Sequence, residues 1–277
     1  MEKKIPITEP GQIIAIGDSL TAGSQPGITE FAPYADALTW TLLKTSYPYM
    51  LGEVLCGDAS LVLNLGRGGA TSLDWTAGRS WQKKGVKDFP LNGYPLDAIM
   101  ASPKDIRICL MMIGTNDVNY SVVPDWIAGL MGGITGYEDN EFLTSRENII
   151  STLINLSEKK MVIYLAKIPP NSYPGGLQFL GLDRILFSCR RAQERLKEYT
   201  RMINERIEEI WESYPSLVRR GPDFYALLHD EKNIWLDDRL HLNAHGYSTM
   251  AKAWAAILER DVEMRISSGR STSASSQ

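Results

Sequence analysis

The fold of this chain is most strongly constrained by residues 106–117, which read IRICLMMIGTND. The first eight of these residues are apolar apart from Arg107. A short apolar run of this kind, ending at a glycine, is typical of a strand buried on both faces of a parallel sheet. Two polar residues, Asn116 and Asp117, follow closely. The segment therefore predicts a central strand at 106–113 whose carboxyl end carries polar side chains.

Other short apolar runs lie on both sides of this strand and alternate with helical patterns. We predict further strands at residues 12–16, 61–65, 161–167 and 218–225. Apolar residues at three- and four-residue steps predict helices at residues 146–160, 183–214 and 244–262. Such alternation is typical of βαβ units, so we expect an α/β fold, a three-layer α/β/α sandwich with a flavodoxin-like central parallel sheet. One domain at 1–266 would precede a Ser-rich tail at 267–277 that we expect to be disordered.

The composition excludes several classes of function. The 277 residues carry a net charge of −4 without long basic blocks, which argues against a nucleic-acid partner. No stretch approaches the roughly 20 apolar residues of a spanning helix, and the first residues lack the apolar core of a signal peptide. We therefore expect a soluble, cytoplasmic protein without stable membrane insertion, or a secreted one if a leader was removed. Cys109, inside the central strand, is expected to be a reduced, buried thiol, and the oligomeric state stays open.

Glycine-rich and polar segments follow three of the predicted strands. Ser19 follows the first, Gly68 and Gly69 follow the second, and Asn116 follows the central strand. Ligands of open parallel sheets bind at the carboxyl ends of strands, so we expect these residues to converge. Together they could supply a nucleophile and neutral donors for a developing oxyanion. Taken singly, each segment could equally be a turn, and Asn116 could form an Asx turn.

A candidate general base comes from a short list, because the chain has three histidines. Asp238 precedes His241 by three residues, a spacing that lets a carboxylate reach Nδ1 and leaves Nε2 free to take a proton from a serine. The alternative is a capped helix start with a solvated histidine. His229 is typical of a surface turn. His245 could line the edge of the site, and with His241 it forms an i,i+4 pair, but the glutamate of a His-Glu-x-x-His zinc motif is absent, so we expect no metal.

Taken together and in this order, the segments resemble the blocks of the GDSL, or SGNH, hydrolase superfamily, named for Gly-Asp-Ser-Leu and for its Ser, Gly, Asn and His. The resemblance spans residues 13–247 and implies the SGNH hydrolase fold, a serine hydrolase and no cofactor. It implies the catalytic residues Ser19, Asp238 and His241 and an oxyanion hole of Ser19, Gly69 and Asn116, with Gly68 as an alternative to Gly69. In this interpretation Asp18 and Asp117 hold backbone N–H groups of the loops and transfer no proton.

The superfamily includes lipases, lysophospholipases, thioesterases, arylesterases and carbohydrate O-acetylesterases, so the resemblance leaves the substrate open. Three segments rich in aromatic and apolar residues, at 31–49 (with Tyr47), 120–142 and 169–187, would favour an acyl chain or aromatic group if they formed the rim of the site. We expect a carboxylester lipase or esterase acting on a small-molecule or lipid ester. A carbohydrate O-acetylesterase, thioesterase or lysophospholipase is the alternative, and a non-catalytic acyl- or sugar-binding protein is a different class. The segment at 120–142 could form a lid or a fixed surface helix.

Overall fold

The structure is a computed structural model, and it describes residues 4–23, 44–79, 95–122, 144–170, 190–231, 233–236 and 240–265. The strands are β1 (Ile5–Ile7), β2 (Ile13–Gly17), β3 (Val62–Asn64), β4 (Ile108–Met112), β5 (Val162–Lys167), β6 (Arg219–Asp223) and β7 (Val262–Met264). The α-helices are α1 (Ser19–Ala22), α2 (Tyr47–Cys56), α3 (Pro95–Ala101), α4 (Thr115–Val122), α5 (Ser145–Ser157), α6 (Arg190–Ser213), α7 (Phe224–Leu228) and α8 (Ala244–Asp261).

Five parallel strands form the central sheet, in the order β3-β2-β4-β5-β6. Every residue of β2 and β4 is buried, as expected for the middle strands of a sheet covered by helices. The two strands pair in register from Ile13 opposite Ile108 to Gly17 opposite Met112. This architecture confirms the predicted α/β fold with a central parallel sheet, and it places the carboxyl ends of β2, β3 and β4 side by side.

Two groups of helices pack against the sheet. In one group α2 packs on α8, where Tyr47 stacks on Trp254 with ring centroids 6.5 Å apart and Phe224 meets Trp254 edge-on. In the other, α6 contacts both α4 and α5, and α5 also contacts α3. The prediction that Tyr47 lines a substrate rim was wrong: its ring is fully buried in this core, because Tyr47 begins a helix whose apolar face is turned to α8.

Most predicted boundaries differ from the observed ones by one to three residues, and two of these differences have a clear physical cause. The strand predicted at 218–225 ends at Asp223, because the Asp223 carboxylate accepts the Ala226 N–H at 2.9 Å and so caps α7 at Phe224. The helix predicted at 244–262 ends at Asp261, since Val262 begins β7. β7 pairs in parallel with β1 in a separate two-stranded sheet, a pairing between distant segments that no local pattern indicated.

Several predictions fall outside the described residues: the start of the helix at 183–214, most of the three aromatic segments, including the lid candidate beyond residue 122, and the tail at 267–277. Within the described part of the chain, no helix has both the length and the apolarity needed to cross a membrane. Cys109 is buried and unbridged, as predicted, whereas Cys56 is exposed.

Candidate active site

Ser19 is the first residue of α1, at the point where β2 ends. The Asp18 carboxylate accepts the Leu20 N–H at 2.9 Å and thereby caps this four-residue helix. Gly17 is required by space, because a Cβ there would lie 2.2 Å from the Met112 carbonyl oxygen of β4 and 2.3 Å from Thr21 Oγ1. Gly17 and Asp18 thus determine the position of Ser19 at the end of β2. Ser19 itself is 7% exposed.

His241 reaches Ser19 from the far end of the chain. Its Nε2 lies 3.0 Å from Ser19 Oγ, across a separation of 222 residues. The His241 carbonyl accepts the Leu236 N–H at 2.9 Å, and the Asn243 N–H donates to Ile234 at 2.8 Å, so the two short segments around the histidine are held together. This geometry allows the imidazole to accept the Ser19 proton.

Asn243 anchors the histidine segment to helix α8. As the N-cap its Oδ1 accepts the N–H groups of His245 and Gly246 at 3.0 and 3.1 Å, and its Nδ2 donates to Asn233 at 2.7 Å. No role was predicted for Asn243, although an Asn directly before a helical pattern is a recognisable N-cap signal. Asp238 lies outside the described residues, so its contact with His241 stays a prediction.

The loop after β3 carries the proposed glycine donor. Gly69 has φ +79°, in the left-handed region that favours glycine. The loop is tied to the nucleophile segment, because the Arg67 N–H donates to the Gly17 carbonyl at 3.0 Å. Asn116, in the first turn of α4, donates from Nδ2 to the Ala70 carbonyl at 2.9 Å. The structure thus brings the segments that carry Ser19, Gly69 and Asn116 to one edge of the sheet.

Asp117 and Asp74 hold the same loop from two sides. The Asp117 carboxylate accepts the Ser72 N–H at 2.9 Å and the hydroxyl groups of Ser72 and Ser145. Asp74 accepts both the N–H and the hydroxyl of Thr71 at 2.8 Å. The predicted role of Asp18 and Asp117 as acceptors for loop N–H groups is confirmed by these contacts, and the links to Ser72 and Ser145 add partners that the sequence did not indicate.

Two carboxyl groups of this region, those of Asp18 and Asp74, have raised pKa values. Burial raises the pKa of Asp18 to about 6; the Leu20 N–H, the Thr115 hydroxyl and His241 oppose that rise, and Asp117 adds to it. Burial also raises the pKa of Asp74 above its ordinary value. The other two histidines lie outside this arrangement: His229 is exposed beside Asp230, and His245 is exposed on the first turn of α8. Among the described residues no group of His, Cys, Asp and Glu side chains is placed to hold a metal ion.

Comparison with protein families decides the identity. The model of the GDSL-like lipase/acylhydrolase family matches residues 15–248. The chain belongs to this family. As a GDSL-like acylhydrolase it is an ester hydrolase by family. The matched region includes all the site segments described above, from Gly17 at the end of β2 to the start of α8.

Solved structures share the fold of this GDSL-like acylhydrolase at low sequence identity. A member of the lipolytic G-D-S-L family from Veillonella parvula is 16% identical with a TM-score of 0.52, covering 90% of this chain and 98% of the other. A GDSL-like lipase from Bacteroides thetaiotaomicron is 14% identical with a TM-score of 0.52, covering 90% and 87%. A variant of an acetyl-xylooligosaccharide esterase from Geobacillus Stearmophilus is 20% identical with a TM-score of 0.52, covering 92% and 96%. Comparison with curated proteins gave no match.

Proposed function

We propose that this chain is a serine esterase that hydrolyses carboxylic esters through a covalent acyl-enzyme. The observation that carries the proposal is the 3.0 Å contact between Ser19 Oγ and His241 Nε2, the geometry of a nucleophile with its general base. In the proposed roles Ser19 attacks, His241 moves the proton and Asp238 orients His241. The N–H groups of Ser19 and Gly69 and the Asn116 amide would stabilise the oxyanion.

The proposed reaction has two halves. Ser19 Oγ bonds to the ester carbonyl carbon while its proton passes to His241, and the tetrahedral intermediate collapses as the alcohol leaves with that proton. Water then attacks the acyl-enzyme, giving its proton to His241, and the acid leaves as the Ser19 hydroxyl is restored. Asn116 suits the oxyanion role because its amide nitrogen carries a second hydrogen beyond the one donated to Ala70.

A fluorophosphonate probe tests this function directly. We expect one phosphonyl adduct, mapped by peptide mass spectrometry to Ser19, and complete loss of p-nitrophenyl acetate hydrolysis in Ser19→Ala. Ser60→Ala is the matched control, because Ser60 is an exposed serine on the 3₁₀-helix that precedes β3. Full activity in Ser19→Ala would contradict the mechanism, and binding of an ester without turnover would indicate the non-catalytic class.

A substrate panel then tests the proposed preference for a lipid or small-molecule ester. We expect hydrolysis of p-nitrophenyl octanoate and acetate, with octanoate preferred in kcat/KM if the site binds an acyl chain through apolar contacts. An acetylated xylooligosaccharide, the substrate named for one structural neighbour, is the competing substrate. Selective turnover of the sugar ester would reassign the chain to the carbohydrate O-acetylesterases.

A further inference from the structure

Asp117 is a buried carboxylate beside Asn116 that joins three separate elements. It lies in the first turn of α4 and is fully buried, and its partners belong to the loop after β3 and to the start of α5. We propose that Asp117 is a positioning residue for the oxyanion hole, an inference that rests on the proposed function. In this role Asp117 holds the loop after β3, which carries Gly69, at a fixed distance from the Asn116 amide.

The contacts of Asp117 restrain the loop from its far end. Oδ2 accepts the Ser72 N–H at 2.9 Å, and Oδ1 accepts the Ser72 hydroxyl and, at 3.0 Å, the Ser145 hydroxyl. Asn148 in α5 also donates to the Ser72 hydroxyl at 3.3 Å. Ser72 is therefore held by α4 and α5 at once, and these contacts are shielded from water by the burial of Ser72 and Ser145.

The contact of Asp117 with Ser72 also restrains the proposed oxyanion donors, because two adjacent residues of α4 each hold a residue of the loop after β3. Asn116 donates to the Ala70 carbonyl at 2.9 Å, while Asp117 binds Ser72 two residues further on. Gly69 directly precedes Ala70, so a shift of Ser72 would move Gly69 relative to Asn116. Donors of an oxyanion hole act through preorganisation, and an error of about 1 Å in such a site can reduce the rate by roughly 10²-fold.

A carboxyl group suits these partners better than an amide does. Its two oxygens accept from one N–H and two hydroxyl groups, whereas an Asn side chain has a single acceptor oxygen and an NH₂ group that can only donate. Asp117→Asn preserves the shape of the side chain. With its single oxygen accepting the Ser72 N–H, its NH₂ group can only donate to the hydroxyls, so the buried hydroxyl protons of Ser72 and Ser145 lose their acceptor. The substitution should therefore loosen the loop without opening a cavity.

The first experiment compares Asp117→Asn with Asp58→Asn by steady-state kinetics on p-nitrophenyl acetate. Asp58 is a matched control because its carboxylate accepts both the N–H and the hydroxyl of Ser60, at 2.8 and 2.6 Å. Asp58 caps the 3₁₀-helix Ala59–Leu61, which precedes β3. Asp58 therefore lies at the amino ends of the strands, whereas the site lies at their carboxyl ends. We expect kcat to fall about 10- to 100-fold in Asp117→Asn with KM changed less than about twofold, and no change in Asp58→Asn. An unchanged kcat, or a loss confined to KM, would overturn the proposal.

A double-mutant cycle separates positioning from general destabilisation. If Asp117 acts through the oxyanion donors, its substitution should cost less than about threefold in kcat once Asn116→Ala has removed one donor. Full additivity of the two losses would overturn the proposal. Should Asp117→Asn fail to fold, Ser72→Ala removes only one hydroxyl partner and should lower kcat about 3- to 10-fold, with the same loss of additivity against Asn116→Ala.

Hydrogen exchange provides a readout that does not depend on turnover. Peptides covering residues 67–76 should exchange faster in Asp117→Asn than in the wild type, while peptides covering β4 keep their protection. Unchanged exchange at 67–76 would refute the positioning role. If the wild type itself neither labels at Ser19 nor hydrolyses esters, the proposed function fails, and the exchange experiment still decides whether Asp117 holds the loop.

Discussion

The Asn116 amide donates one hydrogen to the Ala70 carbonyl, which sets its orientation before any substrate binds. We predict that Asn116→Ala lowers kcat by about 10²–10³ with little change in KM, since an oxyanion donor acts on the transition state and not on the bound ester. Steady-state kinetics on p-nitrophenyl acetate measures both constants. Asn155→Ala is the matched control, because Asn155 also donates to a backbone carbonyl, at 2.8 Å, from within α5. A change confined to KM would mean that Asn116 is a ground-state contact.

Asp18 should lower the stability of the fold as it ionises. Its native pKa is raised by burial from 3.8 to about 6, so between these values the native state holds a proton that the unfolded chain releases, and the free energy of unfolding falls as pH rises. We predict that Asp18→Asn, which keeps an acceptor for the Leu20 N–H, gains stability relative to the wild type between pH 4 and 7.5, on the order of 3 kcal/mol. Urea denaturation at the two pH values measures the gain, and a constant difference would contradict it.

At the level of single residues, the sequence predicted which residues form the candidate site better than it predicted which side chains are buried. The end of β2 at the carboxyl edge of the sheet indicated Ser19, and the Asp-x-x-His spacing indicated His241 among the three histidines; these two side chains lie 3.0 Å apart. Tyr47 was misplaced because an aromatic residue near a site segment carries no local sign of which way its helix faces. Ser72 and Ser145 could not be singled out either, since their partner Asp117 is 45 and 28 residues away in the chain.

The junction between β2, α1 and β4 depends on the absence of a side chain at Gly17. A Cβ there would lie 2.2 Å from the Met112 carbonyl oxygen, so Gly17→Ala must push β2 from β4 or move α1. We predict a loss of about 1–3 kcal/mol in unfolding free energy and a large loss of kcat, because Ser19 begins α1. Gly57→Ala is the control: Gly57 caps α2 with φ +72° and a Cβ there meets nothing within 4 Å. The control should lose stability and keep kcat, and equal kcat losses would contradict the prediction.

Elements with a strong local pattern were predicted, and elements defined by distant partners were not. The runs that became β2, β4 and β5 are continuous and apolar, and buried strands require that composition. β6 reads Arg-Arg-Gly-Pro-Asp and lies at the sheet edge, where polar residues and proline are tolerated, so its boundary was set by the Asp223 cap and not by its apolar content. β1 and β7 are three residues each, too short for periodicity to be visible.

The two-stranded sheet of β1 and β7 joins distant parts of the whole molecule. Ile7 is fully buried and Val262 nearly so, and the Arg265 N–H donates to the Ile7 carbonyl at 2.9 Å. We predict that removing residues 262–277 exposes Ile7 and lowers the midpoint of thermal unfolding by about 4–8 °C, as expected for a loss of about 2 kcal/mol. Removing residues 267–277 alone should leave the midpoint unchanged. Calorimetry compares the two deletions, and equal midpoints would show that β7 adds no stability.

The pairing of β1 with β7 also sets the order of events on the ribosome. Ile5 pairs with Val262, so β1 leaves the exit tunnel long before its partner is made. At roughly 5–20 residues per second, the wait is about 13–50 s. During that interval the nascent chain presents an unpaired strand, and Pro6 removes one N–H donor from the strand that waits. His241 precedes Val262 by only about 21 residues, so the contact of His241 with Ser19 and the pairing of β7 with β1 become possible almost together.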